Sequence, residues 1–344
     1  MLLAEALMAG GRRVGLYTSP HLVTVRERML VDGAPISGDA FALWATRLEN
    51  AVEETGASFF EATTAIAFAD FAARGVDIAV VEVGLGGRLD STNVLDPLVS
   101  AVTGVTLEHT DYLGSSLEGI AREKAGIAKL GRPFVIGERN PDLMAVMELV
   151  AIEAGATVHK VRPEEEYGGS LGLKGAHQRR NAAVAAHVLS ALPHEWQPGE
   201  SATARGFARA RLPGRLDCRG KWIFDVAHNP SGASTLVAAL QDQEPRRPLQ
   251  ALVGILSDKD WRRMLELVNR EVDQLWVTTP PSAPPGRAWL LDEVGEAFPD
   301  ATVEPDFASA LDGVQRGAAT VVVTGSFHTV GDAMARLPGF PPLG

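Results

Sequence analysis

The 344-residue chain is longer than an average domain and is expected to form about two. Its 46% apolar and 22% charged residues are those of a globular protein and exclude disordered, collagen-like and coiled-coil chains. Lys and Arg total 32 against 43 Asp and Glu, a net charge of −11. That balance gives no general attraction for nucleic acid or anionic lipid, although a local basic pocket for an anionic substrate stays open. The single cysteine, Cys218, excludes an internal disulfide and a thiolate metal site and fits a reducing cytoplasm. No apolar run reaches the length of a membrane span.

The chain opens on Leu2, Leu3, Ala6 and Leu7, an apolar face at helical spacing with no N-cap before it. Glu5, and the lack of a basic region in front, argue against a signal peptide. Short β-branched runs follow at 14–17, 78–83, 99–105, 133–136, 222–225, 249–255, 275–278 and 320–324. Helical periodicity fills most intervals, as in 176–192, 261–268 and 307–315. Buried strands separated by helices predict an α/β fold with mainly parallel sheets. No solenoid repeat is visible. The stretch 193–214 carries Pro-Gly and Leu-Pro-Gly turns, which predicts a boundary between units 1–210 and 211–344.

In such folds ligands lie beyond the C-terminal ends of strands. The first strand leads into Thr18-Ser19-Pro20-His21, the second into Glu82 and Gly84-Leu85-Gly86-Gly87-Arg88-Leu89-Asp90, the third into Glu108-His109-Thr110-Asp111. A hydroxyl, a carboxylate and an imidazole thus fall at three strand ends. A hard cation such as Mg²⁺ accepts the first two, with imidazole a less usual ligand. Taken singly, Glu82 and His109 are better explained as partnered polar residues at strand ends. Gly84-x-Gly86-Gly87 lacks the third glycine of a dinucleotide fingerprint, so a tight functional turn is favoured over nicotinamide binding. Phe59 and Phe60 suit core packing or a flat ligand ring. Lys124 reads as a surface lysine. Asp225 and His228 follow the strand at 222–225, and Thr324-Gly325-Ser326 ends the last strand in the same way. Asp258-Lys259-Asp260 reads as a helix start. No Gly-x-Ser-x-Gly hydrolase elbow occurs.

Taken together, several strings resemble the Mur ligase superfamily and, within it, the folylpolyglutamate synthase/dihydrofolate synthase family. They are 15–22 (GLYTSPHL), 82–90 (EVGLGGRLD), 109–114 (HTDYLG), 122–127 (REKAGI), His177-Gln178 with Asn181, 212–216 (LPGRL), 225–230 (DVAHNP) and 324–327 (TGSF), all in family order. The resemblance implies a P-loop-type sheet domain over 1–210 and a smaller Rossmann-like α/β domain over 211–344. It implies an ATP-dependent ligase that joins L-glutamate to dihydropteroate or reduced folates through an acyl phosphate. It further implies Ser19, Glu82 and His109 as ligands of one or two Mg²⁺ ions, and Lys124 as a carbamylated lysine. Ser58, Phe59, Phe60, Glu61 and Arg88 would hold the pterin substrate. Asn181, Arg215 and Asp225 would contact the nucleotide, with His228 and Ser326 near the incoming glutamate or the acyl phosphate. The expected partners are small molecules and the expected state a cytoplasmic monomer.

The sequence departs from that family chiefly in one respect, beside smaller changes at Glu108, where Asp is usual, and over 23–29. No Gly-x-x-x-x-Gly-Lys-[Ser/Thr] loop occurs, and its family position would lie ahead of Met1. The expectation is therefore that the first strand and phosphate loop are missing, through a late start or a real loss. ATP binding by the chain as written should then be weak. Competing readings are a folate- or nucleotide-binding fragment without turnover, and a Mur-type amide ligase with another acid substrate.

Overall fold

The computed structural model describes residues 1–107 and 114–340. The chain divides into two compact units. One comprises residues 1–20, 28–172 and 177–210; the other comprises 21–27, 173–176 and 211–344.

In the first unit, β1 (Val14–Tyr17) is buried along its whole length. It pairs in parallel with β4 (Ile78–Val81) and antiparallel with β2 (Met29–Val31), which turns into β3 (Ala34–Pro35). The β2–β3 turn is Asp32-Gly33, both at positive φ (53° and 79°). Sequence periodicity overlooked this hairpin because its strands are so short, although Asp-Gly is a strong hairpin signal. Helices Gly38–Thr55 and Phe59–Ala73 follow β3. Tyr17, Met29, Val31, Ile66 and Phe71 form the core beneath them.

A second sheet of the same unit is all parallel: β5 (Ser100–Val102), β6 (Pro133–Ile136) and β7 (Thr157–Lys160). Helices Leu117–Ala125 and Pro141–Glu153 cover it through Ala121, Phe134, Ile136 and Met147. Helix His177–Ala191 packs against Val135 through Val184 and Val188.

Several predicted strands end early, and for two of them the hydrogen bonds show why. The run 78–83 stops at Val81, because the N–H groups of Gly84 and Leu85 bond to the Asp90 carboxylate and not to a neighbouring strand. The run 99–105 shrinks to Ser100–Val102, because the Val105 N–H is taken by Glu138.

The other unit holds a six-stranded sheet in the order β12-β11-β10-β13-β9-β8. Its strands are β8 (Asp217–Arg219), β9 (Trp222–Phe224), β10 (Leu249–Val253), β11 (Gln274–Val277), β12 (Thr302–Val303) and β13 (Thr320–Thr324). All neighbours are parallel except β8 and β9. Alternate residues enter opposite clusters, as strand geometry requires. Ile223, Ala251, Val253, Leu275, Val277 and Val322 face helices Pro230–Gln243 and Trp261–Asn269. Phe224, Leu252, Val321 and Val323 face helices Phe307–Val314 and Phe327–Arg336. Both faces are covered, which explains the near-continuous apolar runs. Among the described residues no helix is long and apolar enough to cross a membrane.

In the first unit, helix Glu200–Arg209 crosses helix Leu2–Ala9 with no room for a side chain at Gly206. A Cβ there would sit 2.5 Å from Ala6 Cα. Gly206→Ala should therefore lower the melting temperature, by the equivalent of ~1–3 kcal/mol for overpacking. Gly38→Ala, where a Cβ meets nothing within 4 Å, should not. Thermal unfolding of both variants checks the contrast.

Candidate active site

The parallel register sets Tyr17 beside Val81, so Thr18, Ser19 and Glu82 leave the sheet side by side. The Glu82 N–H donates to the Tyr17 carbonyl at 2.9 Å. Glu82 Oε2 accepts the Thr18 hydroxyl and, at 3.0 Å, the Ser19 N–H. Among the described residues nothing donates to Oε1, and the side chain is exposed. A hydroxyl and a carboxylate oxygen at adjoining strand ends form a hard-oxygen donor pair that suits a divalent cation such as Mg²⁺, which keeps waters or phosphate oxygens as further ligands. No three His, Cys, Asp or Glu side chains converge among the described residues. His109 lies outside those residues.

Asp90 shapes the glycine-rich turn after Glu82. Its Oδ2 accepts the N–H groups of Gly84 and Leu85 at 3.0 and 2.9 Å, and its Oδ1 accepts those of the Thr92 backbone and hydroxyl at 2.9 and 2.6 Å. Gly87 lies flush on the end of helix Leu117–Ala125: a Cβ would come within 2.7 Å of the Glu123 carbonyl and 2.9 Å of that of Lys124. The Arg88 N–H donates to the Glu123 carbonyl at 2.9 Å, and its guanidinium reaches the Glu123 carboxylate at 3.0 Å. Lys124, half-buried on the same helical turn, makes no hydrogen bond or ion pair among the described residues.

Ser58 and Glu61 cap helix Phe59–Ala73 reciprocally. The Ser58 hydroxyl accepts the Glu61 N–H at 3.3 Å, and the Glu61 carboxylate accepts the Ser58 N–H at 2.7 Å. These bonds hold the Glu61 carboxyl below its ordinary pKa. Phe59 and Phe60 remain about half exposed on the first turn. A Cβ at Gly84 would stand 3.8 Å from Phe60 Cδ1 and 4.0 Å from Ser19 Oγ, so the Phe60 ring adjoins the strand-end pair. Asn181, on helix His177–Ala191, donates to Gln178 at 3.0 Å.

In the other unit, Asp225 ends β9 and is buried. Its carboxylate accepts the N–H groups of Leu216 and Ala227, both at 2.9 Å. The first of these bonds holds Leu216 at φ 47°, a left-handed conformation unusual for leucine. Desolvation raises the Asp225 pKa, opposed by the two N–H groups and by Arg215 and His228. The Phe327 ring receives the Arg215 guanidinium at 5.3 Å and the His228 ring at 5.6 Å. The Ser326 hydroxyl is buried and donates to the Gly254 carbonyl at 2.9 Å. This unit thus brings Arg215, Asp225 and His228 to one sheet edge.

Sequence reasoning overlooked several side chains at these edges. Glu138 is buried after β6, where it accepts the N–H groups of Val105, Arg139 and Asn140. Arg287 holds Asp258 through Nε at 3.0 Å and Nη2 at 2.8 Å, and Lys259 joins Asp258 at 3.1 Å. The Ser282 hydroxyl joins His328 Nδ1 at 3.0 Å and Asp332 at 3.1 Å. The position of Asp258 before a helix and of His328 after Ser326 were the only local signals.

A family model described as the Mur ligase, glutamate ligase domain matches residues 214–327. The chain is 35% identical to the Escherichia coli dihydrofolate synthase/folylpolyglutamate synthase over 351 residues, covering 96% of this chain and 82% of that protein. The Escherichia coli FolC structure in complex with DHPP and ADP superposes with a TM-score of 0.85 at 34% identity, over 97% of this chain and 84% of that one. A Yersinia pestis bifunctional folylpolyglutamate synthase/dihydrofolate synthase complexed with AMPPNP and Mn ion gives 0.82 at 34% identity, over 97% and 84%. The fold is that of a Mur-type ligase. Within that class, the chain belongs to the folylpolyglutamate synthase/dihydrofolate synthase family.

Burial lowers the His328 pKa and Arg287 adds to the effect, while Asp332 opposes it. The unfolded chain therefore takes up this proton first, near the ordinary value of about 6.5, and stability falls as pH drops from there through the depressed folded value. Melting temperatures measured from about pH 7.5 down to about pH 5.5 should decline, and His328→Gln should flatten that part of the decline.

Proposed function

We propose that this protein catalyses ATP-dependent addition of L-glutamate to the carboxylate of a pteroyl substrate, dihydropteroate or a reduced folate. The observation that carries the reading is the pairing of Ser19 with Glu82 at adjoining strand ends, in a chain of this family. The pteroyl carboxylate oxygen attacks the γ-phosphorus of ATP, the bond to the bridging oxygen breaks, and ADP leaves. The glutamate amine then attacks the acyl carbon, an amine proton is lost, and phosphate is expelled. A divalent ion held by Ser19 and Glu82, with His109 the third ligand implied by the family resemblance, would neutralise phosphate charge in the first step.

The remaining roles are those the family resemblance implies, set beside what each residue touches here. Phe59 and Phe60, half-exposed and with the Phe60 ring beside Gly84, would hold the flat pterin together with Arg88. Asn181, Arg215 and Asp225 would contact the nucleotide, Arg215 by its planar fork on phosphate. His228 Nδ1 lies 2.9 Å from the Val226 carbonyl, which accepts only, so Nδ1 bears the hydrogen and Nε2 keeps a lone pair. In the neutral imidazole that nitrogen suits removal of a proton from the incoming ammonium. Lys124, with no partner among the described residues, would add carbon dioxide at Nζ to form a carbamate, turning a cation into an oxygen ligand.

The test is ADP and phosphate release with ATP, Mg²⁺, dihydropteroate and L-glutamate. One glutamate adduct per ADP is expected, with release dependent on both the acid and the amine. ATP hydrolysis indifferent to either would overturn the reading. Lys124→Ala should lose activity that acetate partly restores, since a short carboxylate can replace the carbamate oxygens; unchanged turnover in Lys124→Ala would refute the carbamate.

A further inference from the structure

We infer that Arg28 is a positioning residue for the pteroyl ring: it presets the Phe59–Phe60 pair as an aromatic platform. The inference rests on the reading that these two rings face the pteroyl substrate. It extends that reading to a residue that no sequence motif singles out.

Arg28 is 6% exposed, whereas Phe59 and Phe60 are 53% and 51% exposed. Its guanidinium carbon lies 5.3 Å from the Phe59 ring centroid and 5.7 Å from that of Phe60, and so serves both rings at once. The rings stand edge to face, 5.6 Å apart at 78°. A buried cation against two ring faces gains more than an exposed one, because water does not compete for it. Two adjacent exposed phenylalanines on one helical turn would otherwise exchange among their helix-compatible rotamers. Held on their inner side, they present a fixed outer surface, and a flat ligand then binds without the cost of ordering them.

The backbone beneath is anchored as well. The Thr63 hydroxyl donates to the Phe59 carbonyl at 2.9 Å and pairs with the Tyr17 hydroxyl at 3.1 Å. The rings are therefore tied to β1, the strand that delivers Ser19. Arginine suits this place because its planar, weakly hydrated head can lie against two faces, where a lysine ammonium could not.

The test is equilibrium binding of 7,8-dihydropteroate and, separately, of ATP to the full chain and to Arg28→Lys, Arg28→Met and Phe60→Leu. Arg28→Met keeps the bulk of the stem without a buried charge, and so serves if the lysine variant fails to fold. Both Arg28 variants should weaken dihydropteroate about tenfold, the effect of releasing two ordered side chains, and leave ATP affinity within about twofold. Unchanged dihydropteroate affinity in a folded Arg28 variant would overturn the inference. So would equal weakening of both ligands, which is the mark of a merely structural residue. Phe60→Leu separates the two layers. If it weakens dihydropteroate while the Arg28 variants do not, the platform stands and the positioning role fails. If Phe60→Leu changes nothing, the reading of the two rings as the pteroyl site fails, and the role of Arg28 with it.

Discussion

The parallel pairing of β1 with β4 is the constraint on which the site depends. Because Tyr17 and Val81 are register partners, the residues that follow them emerge at one height from one edge. Ser19 and Glu82 are 63 positions apart in the chain, yet the Ser19 N–H reaches the Glu82 carboxylate at 3.0 Å. A one-residue slip would turn every side chain of one strand to the other face and separate the pair. The register is held by apolar burial, since all four residues of β1 are buried. The geometry of the strand-end pair is thus a by-product of core packing, with the polar groups appended where the ladder ends.

A second regularity runs through both units. Carboxylates at strand ends accept backbone N–H groups and so give loops a fixed form. Asp90 closes the glycine-rich turn, Glu138 gathers Val105, Arg139 and Asn140, and Asp225 holds Leu216 and Ala227. Glu27 takes the N–H groups of Leu22, Val23 and Thr24. Each satisfies donors that no strand or helix can satisfy, and a buried donor left unpaired costs about 1–3 kcal/mol. These acids shape the loops that carry the candidate site residues. The net charge of −11 thus partly reflects a method of building loops.

The α/β class and the two strand ends bearing Ser19 and Glu82 were legible in the sequence because they rest on local pattern: a short β-branched run, then a polar or glycine-rich turn. The hairpin at Asp32-Gly33 was also written locally, but its strands are too short for periodicity to register. What stayed illegible depends on distance along the chain. Glu138 meets Val105 across 33 positions, Asp258 meets Arg287 across 29, and Ser282 meets Asp332 across 50. No window of sequence contains both partners, so each residue reads alone as an ordinary surface polar group. Arg28 is a similar case. Its worth lies in being buried under two rings, and burial of an arginine is not announced by its neighbours.

The most direct measurement is Mn²⁺ binding in the presence of a non-hydrolysable ATP analogue, followed by electron paramagnetic resonance on the protein and on Glu82→Gln. If the strand-end pair is the cation site, the parent binds the ion with nucleotide and Glu82→Gln loses most of that binding while its melting temperature stays near the parent's. Equal Mn²⁺ binding by the two proteins would contradict the account, because the ion would then be held by groups other than those the β1–β4 register brings together.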